Sequence, residues 1–264
     1  MNPPSPAQPG VPAIAMSDVA LGAMRDPSVV VAQHINWKVA AGEFWVIAGL
    51  QGSGKSDFLM LTGGLMPPVS GSYRFFDEEM PIFEDARMRE RLRLGLVFDG
   101  GQLFNHLTVW ENIALPLRYH RNLSKADALP EVQKLLQLME LEPWAASTPG
   151  AIGRNWQKRV GLARALILQP EVLLIDNPLT GLDLRHVLWW LNFLGQLSQG
   201  HPYLQDRPAT LVVTTADLRS WKGRAHHFAI LRNQRFNVLG SWAQLEAASA
   251  ELVHELLTLE TRGG

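Results

Sequence analysis

Apolar and polar positions along this chain follow two periods. Alternating and short apolar runs in "SVVVAQHINWKVAAGEFWVIAG" predict strands at Val29–Val31, Ile35–Val39 and Phe44–Ala48, with Ala40–Glu43 as a turn. "KSDFLMLTGGL" has the apolar spacing of a helix, and Leu94–Phe98 is a short apolar run before "DGG". From Thr108 to about Leu168 the pattern is helical. Leu129, Val132, Leu136 and Met139 recur at helical spacing behind Ser124, a possible N-cap, and Pro130 falls early in that helix. A second helix is predicted over Asn155–Leu168, with Asn155 as its cap. Strand "VLLID", helix "RHVLWWLNFLGQL" and strand Thr210–Thr215 follow. A strand pair turns at Asn233-Gln234, and a last helix is predicted from about Ser241 to Leu257. Strands separated by helical segments predict a parallel α/β core with a helical insertion. There is no internal repeat.

The chain's 264 residues, 47% of them hydrophobic, allow one sizeable domain or a core with a subdomain. Lys and Arg number 24 against 25 Asp and Glu, with no basic block, so the charge pattern gives no reason to expect nucleic acid as a partner. The absence of cysteine excludes disulfides and thiolate metal sites. No apolar run approaches the roughly 20 residues of a membrane span, so membrane association is expected to come through a partner. The opening "MNPPSPAQPGVP" lacks the basic and apolar regions of a signal peptide, and residues 1–12 read as a disordered Pro-rich extension.

Chemistry enters at "GLQGSGKS", Gly49–Ser56, which matches G-x-x-x-x-G-K-[ST] in full between a predicted strand and a predicted helix. Glycines let backbone N–H groups curl around a polyphosphate without Cβ clashes. Gly49, Leu50, Gln51, Gly52, Ser53, Gly54, Lys55, Ser56 and Asp57 are therefore the expected nucleotide-binding residues. Lys55 can neutralise β and γ phosphates, Ser56 can offer its hydroxyl to Mg²⁺, and the helix N-terminus adds its dipole. Asp176 ends the apolar run "VLLID", where a carboxylate can act on the Mg²⁺ through a bound water. Asn177 follows it, and an amide does not accept a proton from water near neutral pH. Trp189 and Trp190 read as packing residues, and His226 and His227 have no ligand-like partners at suitable spacing.

Together with "LTVWENIALPLRYH" (Leu107–His120), "KRVGLARAL" (Lys158–Leu166) and "LTGLD" (Leu179–Asp183), these motifs resemble the nucleotide-binding subunit of ATP-binding-cassette (ABC) transporters over about residues 13–257. The wording "LFNHLTVWENIALPLR" and the ending "ELVHELL" look most like ATPases of Mla-type phospholipid transporters. The resemblance implies a P-loop NTPase of α/β class: a RecA-like parallel sheet with an antiparallel β subdomain and a helical insertion. Residues 13–98 and 168–264 would form the core with its β subdomain, and 99–167 the helical subdomain. ATP and Mg²⁺ would be the cofactors. The partners would be a second nucleotide-binding subunit, identical or not, and a membrane permease met through the helical region and the loop near Gly100–His106. That places the chain in the cytoplasm, peripheral on the inner face of the plasma membrane.

In that family each ATP lies between the phosphate loop of one subunit and a signature loop, usually LSGGQ, of the other. Here the signature position reads "IGRNW", with Gly153 for the Ser and Arg154 and Asn155 for two glycines. Where the family has a Gln after the strand, this chain offers Asp99, with Gln102 the nearest Gln. Asn177 replaces the catalytic Glu, Ala216 replaces the switch His, and Ala23 or Met24 replaces the aromatic that stacks on adenine. Lys55, Ser56, Asp176 and Asp183 are retained. The resemblance thus makes Lys55, Asp176 and Asn177 the catalytic positions and Ser56, Asp176 and Asp99 the magnesium positions. Groups that hold triphosphate remain, and groups that activate water or sense the γ-phosphate have changed. Three readings stay open: a transporter ATPase with slow hydrolysis, an active one in which Asp99 or another carboxylate serves as base, and a nucleotide-dependent scaffold. Arg154 is either a surface residue or a cation for the partner's γ-phosphate.

Overall fold

The computed structural model describes residues 10–247. The strands, in chain order, begin with β1 (Ile14–Gly22), β2 (Val30–Val39) and β3 (Phe44–Ala48). Helix α1 (Lys55–Thr62) follows, then β4 (Ser70–Phe75), β5 (Glu78–Glu79), the one-turn α2 (Met88–Arg91) and β6 (Leu94–Val97). Three helices come next: α3 (Val109–His120), α4 (Lys125–Leu138) and α5 (Arg154–Leu166). The chain then returns through β7 (Val172–Ile175), α6 (Leu184–Gln199), β8 (Thr210–Thr215), β9 (His227–Arg232), β10 (Arg235–Gly240) and α7 (Trp242–Ala247).

The 10 strands run in the order β5-β4-β1-β2-β10-β9-β3-β8-β7-β6. From β9 to β6 all neighbours are parallel, whereas β2, β1, β4 and β5 pair antiparallel. The parallel strands are covered on both faces, so they read as unbroken apolar runs. In β3, Phe44, Val46 and Ala48 enter the core shared with α3, α5 and α6, and Trp45 and Ile47 enter the core under α1 and the antiparallel strands. Leu173 and Ile175 of β7 face the first core, and Val172 and Leu174 face the second.

Several expectations need correction. The runs read at Val29–Val31 and Ile35–Val39 are one strand, bent where His34 takes φ 54° opposite the irregular Val19–Leu21 stretch. Strands β1, β4 and β5 were not predicted. Helix α5 begins at Arg154 with Gly153 as N-cap, and Asn155 lies inside the first turn, its Nδ2 donating to Asp183 Oδ2 at 3.1 Å. Residues 1–9 of the Pro-rich extension and the last helix beyond Ala247 lie outside the described residues.

The segment between β6 and α3 is held by α3 itself. Thr108 and Glu111 form a reciprocal capping box. One turn in, the buried Asn112 accepts from Phe104 N at 2.9 Å and donates to the carbonyls of Phe104 (3.1 Å), Leu107 (3.2 Å) and Thr108 (3.0 Å). Asn112→Leu leaves those backbone groups without partners. It is expected to lower unfolding free energy by about 2–4 kcal/mol, read from the urea midpoint at unchanged m-value.

Candidate functional site

Strand register brings the site together. Val97 is level with Ile175, Ile175 with Val213, and Ala48 with Thr215. The residues that follow β3, β6, β7 and β8 therefore emerge along one edge, at the carboxyl ends of the parallel strands, where open α/β sheets bind ligands. These residues belong to the Gly49–Ser56 loop, Asp99, Asp176-Asn177 and Ala216. Gln51, Gly52, Gly54, Lys55, Ser56, Asp57, Asp99, Asn177, Thr180 and Ala216 line one cavity of about 380 Å³.

The loop has the backbone that its glycines permit, with φ 78° at Gly52 and 90° at Gly54, the N-cap of α1. A side chain at Gly54 would collide with Val31. Lys55 is 6% exposed and its Nζ donates to the carbonyls of Gly49 at 2.6 Å and Leu50 at 2.7 Å. Burial holds this ammonium below the ordinary lysine range, and the nearby Asp176 charge offsets part of that. Ser53 Oγ is buried within the loop with no hydrogen-bond partner. A loop of left-handed glycines, a partnerless hydroxyl and a buried lysine at a helix N-terminus fits a polyphosphate.

Asp176 is the hub of the other wall. Its Oδ2 accepts from Ser56 Oγ at 2.7 Å, and its Oδ1 accepts from Thr214 Oγ1 at 2.6 Å and from Asn177 Nδ2 at 3.2 Å. Ser56 and Asp176 are thus in direct contact, the donor set a Mg²⁺ with its waters requires. Asn177 has a left-handed backbone, φ 42°, which Asn adopts at lower cost than most residues. Its side-chain amide is spent on Asp176. Ala216, exposed on the cavity wall, carries no group able to hold or pass a proton.

Asp99, expected as a magnesium position, lines this cavity with two cations beside it. Its Oδ1 lies 3.0 Å from Lys158 Nζ and 3.4 Å from Arg154 Nη2. The carboxylate sits at the cavity but faces two cations of α5. Arg154 remains 62% exposed. Asp183 caps α6, accepting from His186 N at 3.0 Å. Asp57 accepts from Met24 N at 2.9 Å, so it tethers the Ala23-Met24 segment to α1. Trp190 is fully buried, while His226 Nδ1 accepts from Phe44 N and His227 stacks on Trp45, both packing roles. Among the described residues no cluster of His, Asp and Glu could hold a metal by itself.

Sequence reading passed over two residues. Thr214 is a polar residue at the buried end of "TLVVTT", next to the strand that carries Asp176. Lys158 lies four residues after Arg154, on the same face of α5.

The family model described as ABC transporter matches residues 32–180. A methionine import ATP-binding protein of Acinetobacter baylyi is 29% identical over 230 residues, 86% of this chain and 63% of its own length. A spermidine/putrescine import ATP-binding protein of Trichodesmium erythraeum is 33% identical over 207 residues, 78% of this chain and 51% of its own. The chain thus spans between half and two-thirds of the length of these two relatives. Among solved structures, a dimeric ATP-binding cassette in a post-hydrolysis state with ADP and Pi superposes with a TM-score of 0.75 at 25% identity, covering 87% of this chain and all of that one. The fold is shared with cbiO1 of Clostridium perfringens, part of the transporter complex cbiONQ, at a TM-score of 0.72 and 20% identity over 95% of this chain and 96% of that one. With the phosphate loop, the Ser56–Asp176 contact and more than half of the chain matched, this protein belongs to the ABC transporter family of ATP-binding domains.

Proposed function

We propose that the chain is the ATP-binding subunit of a transporter, which binds Mg-ATP at the Gly49–Asp57 segment and hydrolyses it slowly. The observation that carries this reading is the state of the cavity's two walls. Lys55, Ser56 and Asp176 stand ready for triphosphate and magnesium, whereas Asn177, Ala216 and the cation-bound Asp99 offer no free base. Magnesium would supply charge neutralisation between the phosphates. Lys55 would turn from the loop carbonyls to the phosphates, and Ser56 and Asp176 would orient the ion and its waters. Asn177 can position a water by hydrogen bonding but takes no proton from it. Loss of a general base costs on the order of 10²–10⁴ in rate, and this sets the expected slowness.

We infer that the subunit works as one half of a dimer and docks on a permease. The dimeric cassette of the same fold supports the first point. For the second, a groove of about 350 Å³ opens between the end of α1, α2 and the end of α3, lined by Leu65, Met88, Leu92, Tyr119 and His120. Tyr119 is 79% exposed there, which fits an apolar partner segment better than open water. No helix among the described residues is long and apolar enough to cross a membrane, so on this reading the permease supplies the membrane contact. The site would then face the cytoplasm. For cargo we infer a lipid, on the likeness of "LFNHLTVWENIALPLR" to Mla-type ATPases. The named relatives import methionine and polyamines, so phospholipid stimulation of ATP turnover in the reconstituted complex is the discriminating measurement.

Lys55→Ala is expected to weaken Mg-ATP binding by about two orders of magnitude, because charge-assisted contacts to phosphate disappear; titration calorimetry on the full chain reads this directly. A variant that binds like the parent refutes the phosphate-loop assignment.

Asn177→Glu combined with Ala216→His is expected to raise steady-state turnover by about 10–100-fold over the parent. The single Asn177→Glu should gain less and should cost about 1 kcal/mol of stability, because Glu tolerates the left-handed backbone less well than Asn. A double variant no faster than the parent places the defect in the "IGRNW" loop instead.

A further inference from the structure

Helix α5 presents a stripe at positions 154, 158, 161 and 164, the i, i+4, i+7, i+10 spacing of one helical face. Every member of that stripe touches the turn at 99–102. Arg154 and Lys158 meet the Asp99 carboxylate at 3.4 and 3.0 Å. Gly161 lies against Gly101 so closely that a side chain on Gly161 would meet the Gly101 backbone. Arg164 Nη2 donates to the carbonyls of Gly101 at 2.8 Å and Gln102 at 3.0 Å. The turn needs left-handed backbone at three successive residues, φ 76° at Gly100, 79° at Gly101 and 42° at Gln102.

Lys158 also reaches the other way. It is 2% exposed, and its Nζ donates to the carbonyls of Asn177 at 2.8 Å and Thr180 at 2.9 Å, with Pro178 O at 3.4 Å. An ammonium has three N–H groups, and these four oxygens surround it. Burial pushes the ammonium down from its ordinary range and Asp99 counters that. The polar partners of Asp99 are Arg154 and Lys158, and of these Lys158 is the one that donates to the Asn177–Thr180 loop.

We propose that Lys158 is a positioning residue that couples the 99–102 turn to the Asn177–Thr180 loop, with Asp99 as its counter-ion rather than a base or metal ligand. Its role in hydrolysis rests on the ATPase reading above; the mechanical link does not. A shift of the 99–102 turn moves Asp99, unbalances the ammonium and releases the carbonyls of Asn177 and Thr180. The residue beside Asp176 is thereby set from the 99–102 turn.

Hydrogen exchange followed by mass spectrometry on the full chain, without nucleotide, tests the link. Asp99→Asn keeps the side-chain size and removes one charge. It is expected to speed exchange in 177–183 by about fivefold or more while β3 and α3 keep the parent rates. Lys158→Met should do at least as much. The double variant should be no faster than Lys158→Met alone, because both act through one contact. Unchanged exchange at 177–183 in Asp99→Asn overturns the coupling, as do single effects that simply add. Should Lys158→Met fail to fold, Asp99→Asn decides the question alone. With Mg-ATP, Asp99→Asn should bind within about twofold of the parent yet turn over about tenfold more slowly in the permease complex, a split that a purely structural role does not produce. Abolished hydrolysis with parental exchange at 177–183 would instead make Asp99 a ligand or base. Failure of the parent chain to bind Mg-ATP removes the ATPase reading and leaves the exchange result standing.

Discussion

A single carboxylate organises the molecule's working edge. Asp176 is 6% exposed at the end of a strand whose four preceding residues are fully buried. A charge in such a place is tolerated only when donors converge on it. They come from three directions: Ser56 from α1, Thr214 from β8, and Asn177 from its own loop. Satisfying Asp176 therefore fixes the phosphate helix against two strands of the parallel sheet. The same contacts place a hydroxyl and a carboxylate side by side at the mouth of the phosphate loop, so the requirement for folding and the requirement for metal binding are met by one arrangement.

That arrangement also explains what Asn177 does beside the metal position. Its amide N–H₂ donates to Asp176 Oδ1, where a carboxylate would repel it. Its backbone N–H goes to Thr214 Oγ1 at 3.2 Å, and its carbonyl to Lys158. Its side-chain N–H₂, backbone N–H and carbonyl all serve to hold the metal wall in shape. The residue next to the metal position is part of the scaffold, and its amide accepts no proton.

The parallel core was legible because burial on both faces forces continuous apolar runs, as in "FWVIA" and "VLLI". The phosphate loop was legible because its glycines have no structural substitute at φ 78° and 90°. Strand β1 escaped because Ser17 and Asp18 interrupt it, and Asp18 turns left-handed at φ 51°, which breaks the two-residue period midway. Strand β4, "SGSYRF", offers only Tyr73 and Phe75 to the core, too few to show alternation. The cap of α5 was misplaced by two residues because Asn155 has the composition of a cap; Gly153 takes the extended backbone the position needs, and Asn155 is drawn instead to Asp183. The partners of Asp99 were out of reach for a different reason. They lie 55 and 59 positions away, and no period connects a turn to the face of a distant helix.

Helix α5 is anchored on more than the face that meets the 99–102 turn. Arg159, with no exposed surface, donates to Met139 O at 3.1 Å and Glu140 at 2.9 Å, contacts His186 Nδ1 at 3.2 Å, and lies 3.8 Å over the ring of Trp189. These contacts tie α5 to the end of α4 and to α6. Adjacent residues of the same helix, 158 and 159, thus grip the nucleotide loops on one side and the helical packing on the other. A helix held on both sides cannot absorb a displacement by local bending without breaking buried charged contacts. On the proposed coupling, motion of the 99–102 turn is passed on to the Asn177–Thr180 loop or resisted by the whole helical packing. The buried guanidinium, which looks like an expensive way to pack two helices, holds α5 firmly against the end of α4 and against α6.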